Sequence, residues 1–198
     1  HCHSLTEISI PDKVLAITNS SFAYCTNLKK VSIGQSLVSF QYNSFEGCNE
    51  LNSFIVSENN KKFASNEGFI YNKEFTQLVL IPNKINEEIT LHNNLQTIQP
   101  RLFANKDLTS INFGSSLEEI GYGAFQNCVK LSTVSFPEKL KSIDSYAFSN
   151  CTKLTSVEFP SNLITIDEYS FQDCSNLASI SFAADSVEIK NKAFYGCN

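Results

Sequence analysis

Residues 127–174 read NCVKLSTVSFPEKLKSIDSYAFSNCTKLTSVEFPSNLITIDEYSFQDC, and the two halves of this stretch are nearly the same phrase. Leucine, valine, phenylalanine, proline and isoleucine return at a step of 23 residues, and Cys128, Cys151 and Cys174 mark its limits. A repeat of roughly 20–50 residues is typical of a solenoid, in which each unit buries its apolar face only by stacking on its neighbours. The stretch therefore predicts a stack of similar coils.

The same phrase organises most of the 198-residue chain. Its form is C-x-x-L-x-x-[IV]-x-[FI]-P-x-x-L-x-x-I-x-x-x-[AS]-F-x-x-C. Regular copies begin at Cys2, Cys25, Cys128, Cys151 and Cys174, and a further copy from Leu108 to Cys128 lacks the leading cysteine. In the copy before that one, a residue is missing and Lys106 lies where a cysteine is expected.

Two local periods lie inside each unit. Val157 and Phe159 alternate with Ser156 and Glu158, which predicts a short strand, and Pro160 ends it because proline has no N–H for the ladder. A second extended segment of the form LxxI follows. The spacing of three between the phenylalanine and the cysteine predicts a short helical turn.

The seven cysteines recur at one inward position of the repeat, where a free thiol behaves as a small apolar side chain. Coils stacked at about 4.8 Å hold parallel Cβ atoms farther apart than the ~3.8 Å typical of a bridge. The spacing therefore favours buried free thiols. A disulfide framework is the alternative for a secreted chain.

The pattern breaks between residues 49 and 84. The strand-like runs GFIY and TQLVLIP flank NKEF, which predicts a β-hairpin inserted within the array. We therefore expect one domain over residues 1–198, as a fragment of a longer array that continues beyond one or both ends.

The repeated phrase resembles the BspA-type leucine-rich repeat, also called the Treponema pallidum type, and the insert resembles a variant unit of that family. The resemblance covers nearly the whole chain and implies an α/β leucine-rich-repeat solenoid. Its short parallel strands would line a concave face, with helical turns and extended segments elsewhere and one inserted hairpin. It also implies a surface or secreted protein of a host-associated organism that acts in adhesion, without a cofactor.

Composition and motifs exclude several functions. The net charge of −5 has no basic block behind it, which argues against a nucleic-acid groove, and no apolar run is long enough to span a bilayer. Histidine occurs only at positions 1, 3 and 92, acids do not pair at motif spacing, and no glycine-rich phosphate loop is present. We expect neither an enzyme nor a metal site; the HCH at residues 1–3 is better explained as a chain end than as zinc ligands.

The outward strand positions are the candidate ligand-binding residues on the predicted concave face. They are Glu7, Ser9, Lys30, Ser32, Ser53, Ile55, Glu88, Thr90, Ser110, Asn112, Thr133, Ser135, Ser156, Glu158, Ser179 and Ser181. Of these, Glu7, Lys30, Ile55, Asn112, Ser135 and Glu158 are the predicted site. Either the hydroxyl groups only suit a hydrated parallel ladder, or they form an adaptable surface for a protein or a glycan.

Two further features lie outside the strands. Tyr42, Tyr122, Tyr146 and Tyr169 precede the phenylalanine of their units and would either line an edge or lie partly buried between coils. Asn19 and Asn150 fit the glycosylation sequon, and Asn19 is the better candidate because Asn150 adjoins a core cysteine.

The sequence leaves two functional hypotheses. The first is a non-enzymatic surface or secreted module that adheres to host matrix proteins, glycans or cells, without nucleic acid and without membrane insertion of its own. The second is a structural spacer with no ligand. A binding module would concentrate irregular residues on one face, whereas a spacer would stay periodic.

Overall fold

The computed structural model describes residues 2–41 and 43–197, and these form two compact units. Unit 1 spans residues 1–85 and unit 2 spans residues 86–198. In both units the chain winds through stacked coils, each built on one copy of the repeat. The single domain expected over residues 1–198 stays a prediction.

Unit 1 contains eight strands: β1 (Glu7–Ile10), β2 (Ala16–Ile17), β3 (Lys30–Ile33), β4 (Ser39–Phe40), β5 (Ser53–Val56), β6 (Phe63–Asn66), β7 (Phe69–Asn72) and β8 (Leu78–Leu80). The parallel sheet β1-β3-β5 holds the first strand of each coil, and β2 pairs in parallel with β4. A third, antiparallel sheet has the order β6-β7-β8.

Unit 2 contains ten strands: β9 (Glu88–Thr90), β10 (Thr97–Ile98), β11 (Ser110–Asn112), β12 (Glu119–Ile120), β13 (Thr133–Ser135), β14 (Ser142–Ile143), β15 (Ser156–Phe159), β16 (Thr165–Ile166), β17 (Ser179–Phe182) and β18 (Glu188–Ile189). The first strands form the parallel groups β9-β11-β13 and β15-β17, and the second strands form the five-stranded parallel sheet β10-β12-β14-β16-β18.

The strand predicted from residue alternation is confirmed. In β15 the side chains of Val157 and Phe159 are buried, while those of Ser156 and Glu158 are exposed. Ser156 lies opposite Ser179 of β17, so the register advances by one repeat per coil. Equivalent residues of successive coils therefore lie side by side.

The predicted helical turn is wrong, and with it the α/β class, because no described residue is in a helix. The amides of this segment alternate between two kinds of acceptor. Ala147 N–H donates within its coil to Asp144 O at 3.2 Å, whereas Phe148 N–H donates to Ser170 O of the next coil at 2.7 Å. An α-helix needs its amides for bonds along its own axis. A segment that gives every second amide to its neighbour forms β-turns instead.

Each of these turns in unit 2 also contains two residues with left-handed backbone, four positions apart. The pairs are Arg101 and Asn105, Gly123 and Asn127, Tyr146 and Asn150, Tyr169 and Asp173, and Lys192 and Gly196, with φ between 55° and 76°. Asparagine, aspartate and glycine are the residues that adopt this conformation most readily. Their recurrence directly before the cysteine position is the sequence signal that argues against a helix.

A column of phenylalanine rings fills the core of unit 2. Phe103, Phe125, Phe148, Phe171 and Phe194 stack on one another, with ring centroids 5.1–5.2 Å apart. Rings from the first strands meet this column edge-on, as Phe136 does against Phe148 at 5.7 Å. In unit 1 the same arrangement joins Phe22 to Phe45 at 5.5 Å, with Phe54 edge-on at 5.2 Å. Each coil thus contributes one phenylalanine ring that packs against the ring of the next coil.

The cysteines are free thiols, of which five are buried, Cys197 is half-buried and Cys2 is exposed. The inward position is therefore wrong for Cys2. Four of the five buried thiols also donate a hydrogen bond to a phenylalanine carbonyl of an earlier coil, as Cys174 Sγ does to Phe148 O at 3.2 Å. The equivalent bonds run from Cys48, Cys128, Cys151 and Cys197. Lys106, at the same position, is half-buried, and burial lowers its pKa.

Burial controls the reactivity of these thiols. It raises the pKa of Cys128 to about 11 and raises the pKa of Cys151 well above its usual range. Since the thiolate is the reactive form, the buried thiols of the folded protein should react slowly at neutral pH, whereas the exposed Cys2 should react first and the half-buried Cys197 after it.

We expect all seven thiols to titrate in denaturant without reductant, and Cys2 to dominate the reaction of the native protein. The measurement is a thiol count with a chromogenic disulfide reagent, with the intact mass as a control. A count of one or none in denaturant, together with a mass that shows three bridges, would contradict the free-thiol arrangement.

The hairpin predicted in the insert is confirmed and is larger than expected. β7 and β8 pair antiparallel, and β6, which was not predicted, pairs with β7 on its other side. Glu67 and Gly68 join β6 to β7 with φ values of 51° and 78°. Two successive residues with positive φ are characteristic of the type I′ turn that suits a tight hairpin.

Two asparagines anchor the insert to the preceding coil. Asn60 is fully buried, and its Nδ2 donates to Gly34 O and Leu37 O, both at 3.0 Å, while its Oδ1 accepts from Lys62 N and Phe63 N. At the other end, Asn83 Nδ2 donates to Phe45 O at 3.0 Å and Cys48 O at 3.1 Å. In the regular coils a cysteine thiol of the following coil donates to the phenylalanine carbonyl, and Asn83 Nδ2 takes the place of that thiol at Phe45 O.

Candidate ligand-binding face

The outward side chains of the first strands form one face in each unit, which we call the first-strand face. In unit 1, Glu7 lies opposite Lys30 and Lys30 lies opposite Ser53. Ile55 lies opposite Ser32 and is 45% exposed, which is unusual for a large apolar side chain in the middle of a strand. The structure thus places the predicted residues Glu7, Lys30 and Ile55 on one sheet.

In unit 2 the first-strand face carries the other three predicted residues. Asn112 lies directly opposite Ser135, and Glu158 lies opposite Ser181. All four side chains are exposed. Alternation along the strand turns Asn112 and Glu158 outward, since the residues on either side of each are buried in the core.

A shallow depression lies at the end of the first strands in both units, where the chain bends. In unit 1 it has a volume of about 370 Å³ and includes Ser9, Ser32, Ile55, Pro11 and Gly34. In unit 2 it has a volume of about 410 Å³ and includes Ser135, Glu158, Ser181, Pro160 and Phe159. The same repeat positions line both depressions. Ile55 and Glu158 therefore lie at equivalent places in the two units, one apolar and one acidic.

The two units differ in charge. Unit 1 contains seven acidic and seven basic residues, whereas unit 2 contains thirteen acidic and eight basic residues and so accounts for the whole net charge of −5. The charged residues among the outward strand positions of unit 2 are Glu88 and Glu158, both acidic. This face does not suit a polyanion.

The tyrosines form a second exposed feature, on the turns of unit 2. Tyr146 and Tyr169 are half-buried and stack with ring centroids 5.1 Å apart, and Tyr122 meets Tyr146 at 5.7 Å. Arg101 lies 5.3 Å from the ring of Tyr122 and Lys192 lies 5.6 Å from that of Tyr169. The tyrosines thus both line an edge and pack between coils. The cations at the two ends were not predicted; Arg101 and Lys192 occupy the repeat position of Tyr146. Tyr42 lies outside the described residues.

The two sequons have different surroundings. Asn19 is exposed, and so are Ser20 and Ser21, which complete its sequon. Asn150 is half-buried, and its Nδ2 donates to Asn127 Oδ1 at 3.0 Å, so the atom that would carry a glycan is already engaged. Glycosylation of Asn19 stays a prediction.

Metal ligands do not converge anywhere in residues 2–41 and 43–197: no group of three or more His, Cys, Asp or Glu is placed to hold an ion. His1 lies outside the described residues, and His3 Nδ1 lies 3.2 Å from Thr26 Oγ1. The same part of the chain contains no helix of the length and apolarity that a bilayer requires.

Comparison with known proteins identifies the repeat. The family model of the BspA type leucine rich repeat region matches residues 1–87 and 82–198, with six copies. The chain belongs to this family, as its sequence resemblance indicated, and no catalytic family is indicated. No curated protein matches the chain.

Solved structures show the same leucine-rich-repeat fold. The pneumococcal vaccine antigen PcpA is 23% identical with a TM-score of 0.66, over 96% of this chain and 57% of that one. A leucine-rich repeat protein from Eubacterium ventriosum is 25% identical with a TM-score of 0.57, over 98% and 65%. The T. pallidum leucine-rich repeat protein is 23% identical with a TM-score of 0.55, over 98% and 77%. The chain thus spans less than two thirds of the first two.

Proposed function

We propose that this chain is the ligand-binding part of a surface or secreted adhesion protein that binds host matrix proteins, glycans or cells. The observation that carries the proposal is the first-strand face. Its side chains are exposed or half-buried, lie outside the core, and border an equivalent depression in each unit. Residues that are not needed for packing can vary without loss of stability, so their side chains can be adapted to a ligand.

The chemistry of this face indicates the kind of ligand. Hydroxyl and amide groups dominate it, so recognition would depend on many hydrogen bonds and on shape rather than on charge. The acidic character of unit 2 favours a neutral or basic partner there. A standard interface of about 800 Å² per partner would need several neighbouring coils.

The test uses one block variant per unit. The unit 1 block combines Glu7→Ala, Lys30→Ala and Ile55→Ala; the unit 2 block combines Asn112→Ala, Ser135→Ala and Glu158→Ala. We expect at least one block to weaken binding to immobilised matrix proteins or to host cells about tenfold or more, equivalent to about 1.4 kcal/mol. A matched control block carries Lys13→Ala, Gln99→Ala and Lys153→Ala, exposed residues outside the face.

Circular dichroism must show that every variant is folded. Wild-type binding by both folded face blocks would contradict a site on the first-strand face. The second candidate function is a spacer that holds other parts of a longer protein in position. The strict periodicity of the hydroxyl face favours it, and a wild-type chain that binds no matrix protein, glycan or host cell would establish it.

A further inference from the structure

The turn formed by residues 43–48 in unit 1 differs from the turns of unit 2 because the insert, and no regular turn, follows it. In the first four turns of unit 2 the phenylalanine amide donates to the next turn, as Phe125 N–H does to Ala147 O at 2.7 Å. The amide of Phe45 has no such backbone partner among the described residues. Within the described residues, this edge of the turn therefore receives Asn83 Nδ2 at Phe45 O and Cys48 O, whereas the Phe45 amide meets no carbonyl of a following turn.

A cavity of about 340 Å³ lies between this turn and the end of the insert. Its lining consists of Asn43, Phe45, Glu46, Leu51, Leu80, Ile81 and Asn83. Phe45 and Leu51 are buried and form an apolar floor, while Leu80 and Ile81 are half-buried. An apolar floor with a few polar groups, at a volume of roughly 300–1,000 Å³, is typical of a ligand pocket.

One polar atom in this lining lacks a partner. Asn43 Oδ1 is buried without a hydrogen bond, which among the described residues is otherwise true only of the side-chain oxygen of Ser170. A buried acceptor without a donor is unfavourable, because it has lost its bonds to water and gained none in return. Such a cost is offset when a ligand supplies the donor, so the orphaned oxygen points to an occupant with an N–H or O–H group.

The coils of unit 2 show what fits against an open turn. There the covering segment supplies a main-chain carbonyl to the phenylalanine amide and a phenylalanine ring to the stack, as Ser170 O and the Phe171 ring do for Phe148 at 2.7 and 5.1 Å. A peptide provides both a carbonyl acceptor and an N–H donor at each residue. A sugar provides hydroxyl groups but no side chain for a floor of phenylalanine, leucine and isoleucine.

We propose that this cavity binds a peptide segment of a partner protein in the turn conformation that covers the equivalent turns of unit 2. One large apolar side chain of the peptide lies over Phe45, a peptide carbonyl accepts from Phe45 N–H, and a peptide N–H donates to Asn43 Oδ1. The site lies on the turns and is separate from the first-strand face, so it does not depend on the function proposed above.

The probe is a synthetic peptide that copies the turn of residues 143–151, IDSYAFSNC, with Cys151→Ser. The protein is labelled with ¹³C at the methyl groups of leucine and isoleucine. We expect saturable shifts of Leu51, Leu80 and Ile81 on titration. A second peptide with Phe148→Ala should bind at least tenfold more weakly, because it lacks the ring that would lie over Phe45.

The protein variant Asn43→Leu separates a ligand role from a structural one. Because Asn43 Oδ1 has no partner among the described residues, the variant should melt no lower than wild type, yet its affinity for the peptide should fall about tenfold. Asn52→Ala, an exposed position nearby in sequence, is the matched control and should bind as wild type does. The first-strand block variants should also retain the peptide, which keeps the two proposed sites distinguishable.

Three results would overturn this assignment. They are the absence of shifts at Leu51, Leu80 and Ile81 up to about 1 mM peptide, equal affinity for the peptide that lacks the phenylalanine, and a lower melting temperature of Asn43→Leu with peptide binding intact. Shifts confined to Ile189, in the last coil, would also count against it, because the peptide would then only extend the end of unit 2.

Discussion

Phe148→Ala is expected to lower the free energy of unfolding by about 3–5 kcal/mol, in the range of buried phenylalanine truncations. Phe148 is fully buried and stacks on Phe125 and Phe171, each at 5.1 Å, with Phe136 edge-on. Alanine would leave a cavity bordered by three coils. Urea denaturation followed by far-ultraviolet circular dichroism measures the loss.

The matched control for Phe148→Ala is Ser156→Ala. Ser156 is exposed on the first-strand face and should change stability by no more than about 0.5 kcal/mol. Equal shifts of the two denaturation midpoints would mean that the inner and outer faces of the coils are reversed. A large shift for Phe148→Ala alone would confirm that the phenylalanine column is the principal contact between coils.

Asn60→Ala is expected to destabilise unit 1 by about 3–5 kcal/mol, although it removes only one polar side chain. The amide of Asn60 satisfies two carbonyls of the preceding coil and two amides of the insert. Alanine would leave all four groups buried without partners. The loss should be visible in the melting temperature and in faster hydrogen exchange of β6, the strand that begins just after these bonds.

The neighbouring Asn59 provides the control. It has the same side chain but is exposed, and Asn59→Ala should stay within about 0.5 kcal/mol of wild type. If Asn60→Ala were equally mild, water would have to replace the lost bonds. The insert would then be attached mainly through its apolar residues.

The alternation of buried and exposed residues made the first strands and their outward face predictable. Val157 and Phe159 had to turn inward together, so Ser156 and Glu158 had to turn outward, and a fixed repeat placed Ser179 beside Ser156. The same argument predicts that Asn112 and Ser135 share one face, and the two residues lie directly opposite each other. Periodicity determines such positions because the core must be continuous through the stack.

The turns could not be predicted from spacing alone. A spacing of three between Phe148 and Cys151 suits a helical turn and a pair of β-turns equally well. The difference depends on where Phe148 N–H finds its acceptor, which is the next coil. The sequence of one turn does not show which contacts it makes with the next coil. Asn150 and Asp173, which adopt left-handed backbone, are nevertheless residue types that favour a turn over a helix.

The hydrogen bonds of the insert could not be predicted from the repeat pattern, for a different reason. Asn60 lies in the polar run SENNKK, which gives no sign that one of its side chains is fully buried. The orphaned oxygen of Asn43 is likewise invisible in sequence, since it depends on what the insert places opposite residue 43. Tertiary hydrogen bonds of this kind become evident only when the groups on both sides are known.

The two asparagine anchors also bear on how arrays of this kind change length. Each regular coil of unit 2 makes similar contacts with the coil that follows it. Recombination between genes can therefore duplicate or delete such a coil without creating an unmatched contact surface. The insert cannot move alone in this way, because Asn60 reaches the bend at Gly34 and Leu37 and Asn83 reaches the turn at Phe45 and Cys48. The unit that can be duplicated or deleted as a whole is therefore the insert together with the coil before it, about two and a half times the length of an ordinary repeat.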